Sequence, residues 1–390
     1  MFLAFPEFGK YSTPLLFLSL QGLIFAVLLL RKYIQGKNIS DLFLFAILIF
    51  TCYGQTCYTV GFMGWYDTYR NTKINYALFS VGIVIAPLIY LYIKSITTSQ
   101  FRLTRRDAFH FLPFVLFAAY RITIYTLDLI QPGFHNVQNG ILKLSLDEPY
   151  VQPLMTAFGF AQMLLYLAFT LQLFFNYRKK INAFFSNTYR LELNWIRNFL
   201  LVYGFLFLYD VVQTAISTFF VELGYTQQWW LVFFSGIAIT YVGIKGYFTD
   251  TTKLKKLNFS FSPNKISVPE LQNIRKKEVS EKAIEQIKTL MENEKPYLDP
   301  ELNLIDLAKR ANMSRSQLSE TINLGFNMNF NDFVNMYRIE AFKKMIAAEK
   351  HEQLSLLGIA FECGFNSKAT FNRVFKKLTQ SSPTEFLKAI

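Results

Sequence analysis

Cysteine and histidine are nearly absent, three of each in 390 residues. Cys52 and Cys57 share one apolar stretch and Cys363 lies far downstream, which excludes a disulfide framework. His110, His135 and His351 are scattered, so no metal-ligand cluster is expected. Acidic residues are also scarce, 27 against 40 Lys plus Arg, and no two carboxylates fall together inside an apolar run. There is no phosphate-binding glycine loop and no nucleophile with a base at motif spacing. The sequence therefore offers no catalytic residues, no metal site and no cofactor.

What is abundant is apolar length. Phe alone accounts for 42 residues, and 52% of the chain is hydrophobic. Uncharged runs cover 14–30, 42–66, 74–93, 150–177 and 223–244, and two more, 108–127 and 198–221, are interrupted once each, by Arg121 and Asp210. Crossing ~30 Å of hydrocarbon takes about 20 helical residues at ~1.5 Å each, so the reading is seven spans. Backbone groups in lipid have no water to bond, which makes these spans helices.

Lys and Arg set the orientation. Alternate loops hold Arg31, Lys32 and Lys37; Lys94, Arg102, Arg105 and Arg106; Arg178, Lys179, Lys180, Arg190 and Arg197; and Lys245, Lys253, Lys255 and Lys256. Lys10, Arg70, Lys73 and Lys143 are all that fall on the other side. The amino terminus is expected outside and the carboxyl terminus in the cytoplasm, in a bacterial inner membrane. The run 14–30 is not expected to be a cleaved signal, because its charges follow rather than precede it. The longest outer loop, 128–149, is too small to be a binding domain of its own.

Within the spans, Asp210 and Arg121 each stand roughly 20 Å up their helices from the cytoplasmic face. An unpaired charge at mid-bilayer costs ~2.5 to 3.5 kcal/mol, so each should face the bundle and seek a partner. One reading pairs them as part of a ligand pocket or switch between the fourth and sixth spans. The competing reading has Arg121 reaching the outer headgroups and Asp210 bonded to Gln162 or a tyrosine.

The composition changes from Thr249. A polar, Lys-rich linker, 253–277, contains Pro263 and Pro269, and a helical pattern over 278–293 carries Val279, Ala283, Ile284, Ile287, Leu290 and Met291 on one face. Two heptads are few for a coiled coil, so packing on its own domain is favoured over a coil joining a homodimer.

Two helix-turn-helix patterns follow. In the first, over 302–323, Leu304, Ile305, Leu307 and Ala308 form an inner face, with Ala308 small enough for a helix to cross above it. Asn312 suits a left-handed turn, Ser314 caps the second helix, and Leu318 and Ile322 anchor it. Arg315, Ser316, Gln317, Ser319 and Glu320 are left facing outward. In the second, Ala360 is the crossing residue, Gly364 the turn, Phe365 the plug and Ser367 the cap, with Phe371 and Phe375 buried. Lys368, Asn372, Arg373, Lys376 and Lys377 project. The interval from Gly364 to Phe371 is one residue longer than that from Asn312 to Leu318, so the two turns are similar without being copies. Between the units, 330–348 reads as a long helix burying Phe333, Val334, Tyr337, Ala341, Phe342 and Met345.

Ile359-Ala360, Gly364-Phe365, Ser367, Phe371, Arg373, Phe375-Lys376-Lys377, Ser382-Pro383 and Phe386 together resemble the signature of the AraC family of transcription regulators. Phe330-Asn331-Asp332-Phe333 and Asn335-Met336-Tyr337-Arg338 resemble that family's linker helix, and Tyr297-Leu298-Asp299-Pro300 the approach to it. Gln380 departs from the pattern, since the family commonly has Gly there. Ala86-Pro87-Leu88-Ile89-Tyr90-Leu91-Tyr92 and His110-Phe111-Leu112-Pro113 resemble seven-span sensors fused to such domains. The resemblance implies two helix-turn-helix subdomains on one connector helix, entering successive major-groove segments of double-stranded DNA. Net charge over 296–390 is only +2, but after Asn366 the basic residues Lys368, Arg373, Lys376, Lys377 and Lys388 face Glu385 alone, a placement suited to phosphate contact.

The expected protein is all-α. Residues 1–248 form a polytopic seven-helix membrane sensor in contact with lipid and answering an unknown small-molecule or membrane signal. Residues 249–295 are linker and amphipathic helix, and 296–390 a cytoplasmic AraC-like double helix-turn-helix domain. Together they make a membrane-bound one-component transcription regulator rather than an enzyme. The alternative is a seven-span transporter or receptor whose tail recruits a protein.

Overall fold

A computed structural model describes residues 6–76, 78–98, 101–186, 188, 193–249 and 280–388. It divides into two compact units, Met1–Phe174 with Asn194–Ser262, and Phe175–Leu193 with Pro263–Ile390. The fold is all-α: among the described residues there are helices and two isolated β-bridges but no strand.

The first unit contains α1 (Ser12–Gly36), α2 (Ile39–Phe62), α3 (Ile85–Thr97), α4 (Leu112–Leu129), α5 (Gln152–Asn182, up to Phe174), α6 (Asn194–Phe219) and α7 (Trp229–Phe248). Among the described residues, six helical stretches are long and apolar enough to cross a membrane: Ser12–Gly36, Ile39–Phe62, Arg105–Leu129, Lys143–Asn182, Asn194–Phe219 and Trp229–Phe248. The run 74–93, read as one span, is broken. A single helical turn, Thr72–Asn75, precedes a bend, and the apolar helix covers only Gly82–Thr97. At ~1.5 Å per residue that is roughly 24 Å, short of the hydrocarbon thickness. Most of α3, including Leu88, Leu91, Tyr92 and Ile93, is buried by neighbouring helices.

Burial in this unit is inverted relative to a domain folded in water. Phe17, Ile24 and Val27 on α1, Leu116 and Ile122 on α4, Leu164 on α5, and Phe205 and Leu208 on α6 are all more than half exposed. Ser19, Gln55, Thr59, Thr170 and Asp147 are buried. Such a continuous apolar exterior is disfavoured in water and natural in lipid. Glycines let helices approach closely: a Cβ on Gly22 of α1 would stand 2.4 Å from Cys52 Sγ on α2, and one on Gly246 of α7 would stand 2.1 Å from Leu44 Cδ2. The segment between α4 and α5 is folded back onto residues 71–76. Thr72 N–H donates to Gln138 O (2.8 Å), and the buried Lys73 Nζ donates to Gln131 O (3.1 Å) and Gly133 O (2.9 Å). Buried Asp128 accepts from the backbone N–H of Leu142 (3.0 Å) and Lys143 (3.1 Å) and from the side chains of Tyr76 and Gln131.

The second unit contains α8 (Glu281–Asn293), α9 (Leu304–Arg310), α10 (Arg315–Glu320, continued by a π turn to Gly325), α11 (Phe330–Ala347), α12 (Leu356–Glu362), α13 (Lys368–Thr379) and α14 (Pro383–Lys388). Ile287, Leu290 and Met291 of α8 join a core with Leu304, Leu307, Ala308, Leu318, Ile322 and Phe333. This apolar stripe therefore packs on its own unit and is not free to form a dimer coil. A second core gathers Phe342, Ile346, Ile359, Ala360, Phe365, Phe371 and Phe375. The single helix α11 serves both cores, Phe330 to Val334 in the first and Ile339 to Ile346 in the second. The linker 253–277, Val279 and Arg190 lie outside the described residues.

Candidate nucleic-acid interface and a cavity in the first unit

The two helix-turn-helix turns use the same backbone bonds. Met313 N–H donates to Ala308 O (2.9 Å) and Asn312 N–H to Lys309 O (3.1 Å). Phe365 N–H donates to Ala360 O (3.1 Å) and Gly364 N–H to Phe361 O (3.0 Å). Asn312 (φ 49°) and Gly364 (φ 90°) occupy the left-handed position that the turn demands. The extra residue of the second unit, Asn366, falls after the turn, between Phe365 and the Ser367 cap. Both caps form: Ser314 Oγ accepts from Gln317 N–H (3.2 Å), and Ser367 Oγ from Thr370 N–H (3.2 Å).

These caps and cores decide what faces outward. Arg315, Ser316 and Gln317 on α10, and Lys368, Asn372, Arg373, Lys376 and Lys377 on α13, are exposed, while Ser319 is half-buried. Two of them have structural work as well. Gln317 Oε1 accepts from Ser314 N–H (3.0 Å), completing a capping box, and Lys377 Nζ pairs with Asp332 Oδ1 on α11 at 2.7 Å. Arg315, Lys368, Arg373 and Lys376 complete the exposed cationic set, with Arg373 and Lys376 spaced along α13 at about one helical turn.

Behind this surface lies a residue that sequence reasoning placed in a motif without a role. Arg338 is 1% exposed. Its Nε donates to Tyr297 O (2.8 Å), and one terminal nitrogen donates to Asp299 O (2.8 Å) and Ser186 Oγ (3.1 Å). The guanidinium lies 5.8 Å from the Phe365 ring centre. Burial pulls its pKa down to about 10, which leaves it charged at neutral pH. A Cβ on Gly364 would stand 2.3 Å from Tyr297 O and 2.9 Å from Arg338 Nε, so this turn needs Gly for space as well as for φ. The signal was legible: Val334, Arg338 and Phe342 recur every fourth residue, setting a cation in an apolar stripe.

In the first unit, Arg121, Gln162 and Asp210 line one cavity of about 520 Å³, together with Tyr66, Tyr76 and Gln152. Arg121 does not pair with Asp210. It pairs with Asp147 at 2.8 Å, a fully buried carboxylate in the π-helical lead into α5. Asp147 was missed because it precedes the apolar run and reads as part of an outer loop. Arg121 Nε and Asp147 Oδ1 are buried without a hydrogen-bond partner among the described residues. Asp210 also borders a smaller cavity of about 180 Å³ with Tyr203 and Ser235.

The second unit thus presents a protein of the paired helix-turn-helix class, a DNA-binding architecture. The family described as helix-turn-helix domain matches residues 307–389. An uncharacterized HTH-type transcriptional regulator encoded in the cgkA 5' region of Pseudoalteromonas carrageenovora is 30% identical over 123 residues, 30% of this chain and 71% of that protein. No solved structure matches. The chain belongs to the AraC-type helix-turn-helix transcription regulators.

Proposed function

We propose that the chain is a membrane-anchored one-component transcription regulator, with six long spans and the shorter, buried α3 as a seventh, its amino terminus outside and its DNA-binding unit in the cytoplasm. The observation that carries this reading is the union in one chain of an apolar-surfaced helical unit with paired helix-turn-helix subdomains. The distribution of Lys and Arg supports the orientation. The cavity at Arg121, Gln162 and Asp210 is the proposed sensing site: it is concave, mixed in polarity, and lined by Arg121, whose buried Nε has no hydrogen-bond partner among the described residues. α10 and α13 are the proposed reading helices, with Arg315, Ser316, Gln317, Ser319, Lys368, Asn372, Arg373, Lys376 and Lys377 toward DNA.

Two measurements test this. A cysteine replacing Asn139 should label from outside intact cells and one replacing Asn258 should not; equal labelling removes the topology. Footprinting with the full-length chain on its mapped genomic sites should show two protected major-groove segments about 10.5 base pairs apart. Arg315→Ala and Arg373→Ala should each weaken binding, by ~1 to 3 kcal/mol where the residue reads a base, with relaxed preference at one position. A phosphate contact would weaken all sequences alike. Unchanged affinity in both variants would mean that other residues read the site.

A further inference from the structure

The connector between α5 and α6 is built into the DNA-binding unit. Its residues Phe184, Phe185 and Ser186 lie alongside the stretch that leads into α9, with Phe185 and Asn303 opposed in an antiparallel bridge. Leu304 N–H donates to Phe184 O (3.0 Å) and Ser186 N–H to Leu302 O (3.3 Å), while Ser186 Oγ also donates to Leu302 O (2.6 Å). Asn331 Nδ2, on the first turn of α11, donates to Phe185 O (3.1 Å) and Ser186 O (2.8 Å). Phe184 packs on the first core, and Ser186 is fully buried. An added strand held by its backbone, with side chains seated on either side, is a recurring mode of peptide docking.

The grip reaches both reading helices. Ser186 Oγ is one of the acceptors of the buried Arg338, whose other side bears on Tyr297 O and on the Gly364-Phe365 turn of the second helix-turn-helix. Next to Asn331, Asp332 holds Lys377 of α13 at 2.7 Å. With the connector seated, Arg338 is fully bonded and the two subdomains share one frame. With it withdrawn, buried donors on Arg338 and Asn331 lose their acceptors, which is strongly unfavourable. The connector is also continuous in the chain with α5, which carries Gln162 to the cavity, and with α6, which carries Asp210 there.

We infer that Phe184–Ser186, held by one isolated bridge, is the docking segment through which the membrane unit sets the DNA-binding unit. Seated, it holds the two helix-turn-helix subdomains in the spacing that two-groove binding needs; withdrawn, it uncouples them. A ligand that shifts α5 against α6 moves both ends of this segment. The inference rests on the regulator reading above.

The test uses the full-length chain in lipid nanodiscs. Phe185→Cys with Asn303→Cys places thiols on an opposed, non-hydrogen-bonded pair, whose Cα separation of ~4.5 Å lies within disulfide reach. Oxidation should cross-link this variant in an otherwise unaltered chain. Ser186→Ala with Asn331→Ala should loosen the segment and weaken two-segment protection of the mapped promoter by about tenfold, the scale of an allosteric coupling. In that background the oxidised cross-link should restore protection and its reduction should remove it again, a reversal that damaged folding cannot give. Failure to cross-link, undiminished protection in the loosened variant, or a cross-link that restores nothing would each overturn the inference. A chain that cross-links readily while even the unaltered protein protects no DNA would sink the regulator reading itself, leaving the segment a packing contact and the inference without its output.

Discussion

The two units each bury an arginine, and they satisfy it in opposite ways. Arg121 faces a fully buried carboxylate, Asp147, at 2.8 Å, while Arg338 is met by the neutral acceptors Tyr297 O, Asp299 O and Ser186 Oγ. Around Arg121, bonding capacity is left over on its own Nε and on Asp147 Oδ1. Around Arg338, Nε and both terminal nitrogens donate. In a low-dielectric bundle a cation needs a counter-charge. In a water-facing domain, carbonyl ends from several segments suffice, and the filled arginine becomes a joint between them.

Replacing the joint should have the largest effect. Arg338→Met keeps much of the side-chain volume but leaves Tyr297 O, Asp299 O and Ser186 O with fewer or no donors. At ~1 to 3 kcal/mol per orphaned buried group, the DNA-binding unit should lose roughly 3 to 5 kcal/mol. Amide hydrogen exchange should report this as lost protection in both α9 and α13, because the arginine bears on both cores. Loss confined to one of them would show that Arg338 is not a joint.

The arginine of the first unit should behave as half of a pair. Asp147→Asn leaves Arg121 without its counter-charge, a cost of ~2.5 to 3.5 kcal/mol on insertion scales, and Arg121→Gln strands Asp147 likewise. The double substitution should recover most of the thermal stability in detergent, so the two effects are strongly non-additive. Asp210→Asn, by contrast, should leave stability near wild type and change reporter output. Additive losses at Arg121 and Asp147 would erase the distinction between a paired and a filled arginine.

What was legible in the sequence divides along the same line as these contacts. Asn312 and Gly364 in left-handed turns, Ser314 and Ser367 as caps, and Ala308 and Ala360 as crossing residues all follow from local backbone demands within a few positions. The apolar runs likewise announced helices. The break in the third run was hidden, because the bend after Asn75 is stabilised from outside, by Asn71–Lys73 bonding to residues 131–138. Arg121 was rightly read as needing a partner, but Asp147 rather than Asp210 supplies it, from a turn that precedes the apolar run and reads in the sequence as outer loop. The Ser186 contact with Arg338 spans 152 positions, and no periodicity encodes it.

The smallest effect probes a left-handed residue at the end of a reading helix. Gln380 ends α13 at φ 61°, a left-handed conformation in which a Cβ costs ~1 to 2 kcal/mol relative to Gly. Its N–H still closes on Lys376 O at 3.0 Å, and its Nε2 donates to Lys377 O at 3.1 Å. Gln380→Gly relieves the backbone but forfeits that side-chain bond and adds freedom to the unfolded chain, each worth up to ~1 kcal/mol. Because the lost bond is exposed and competes with water, relief should win by about 0.5 kcal/mol, read as slower exchange of the last-turn amides of α13. Asn312→Gly is the control: Asn tolerates the same conformation, so that change should stabilise less. A destabilised Gln380→Gly would show instead that the glutamine's bond to Lys377 O outweighs the strain and fixes the end of the helix that carries Lys376 and Lys377.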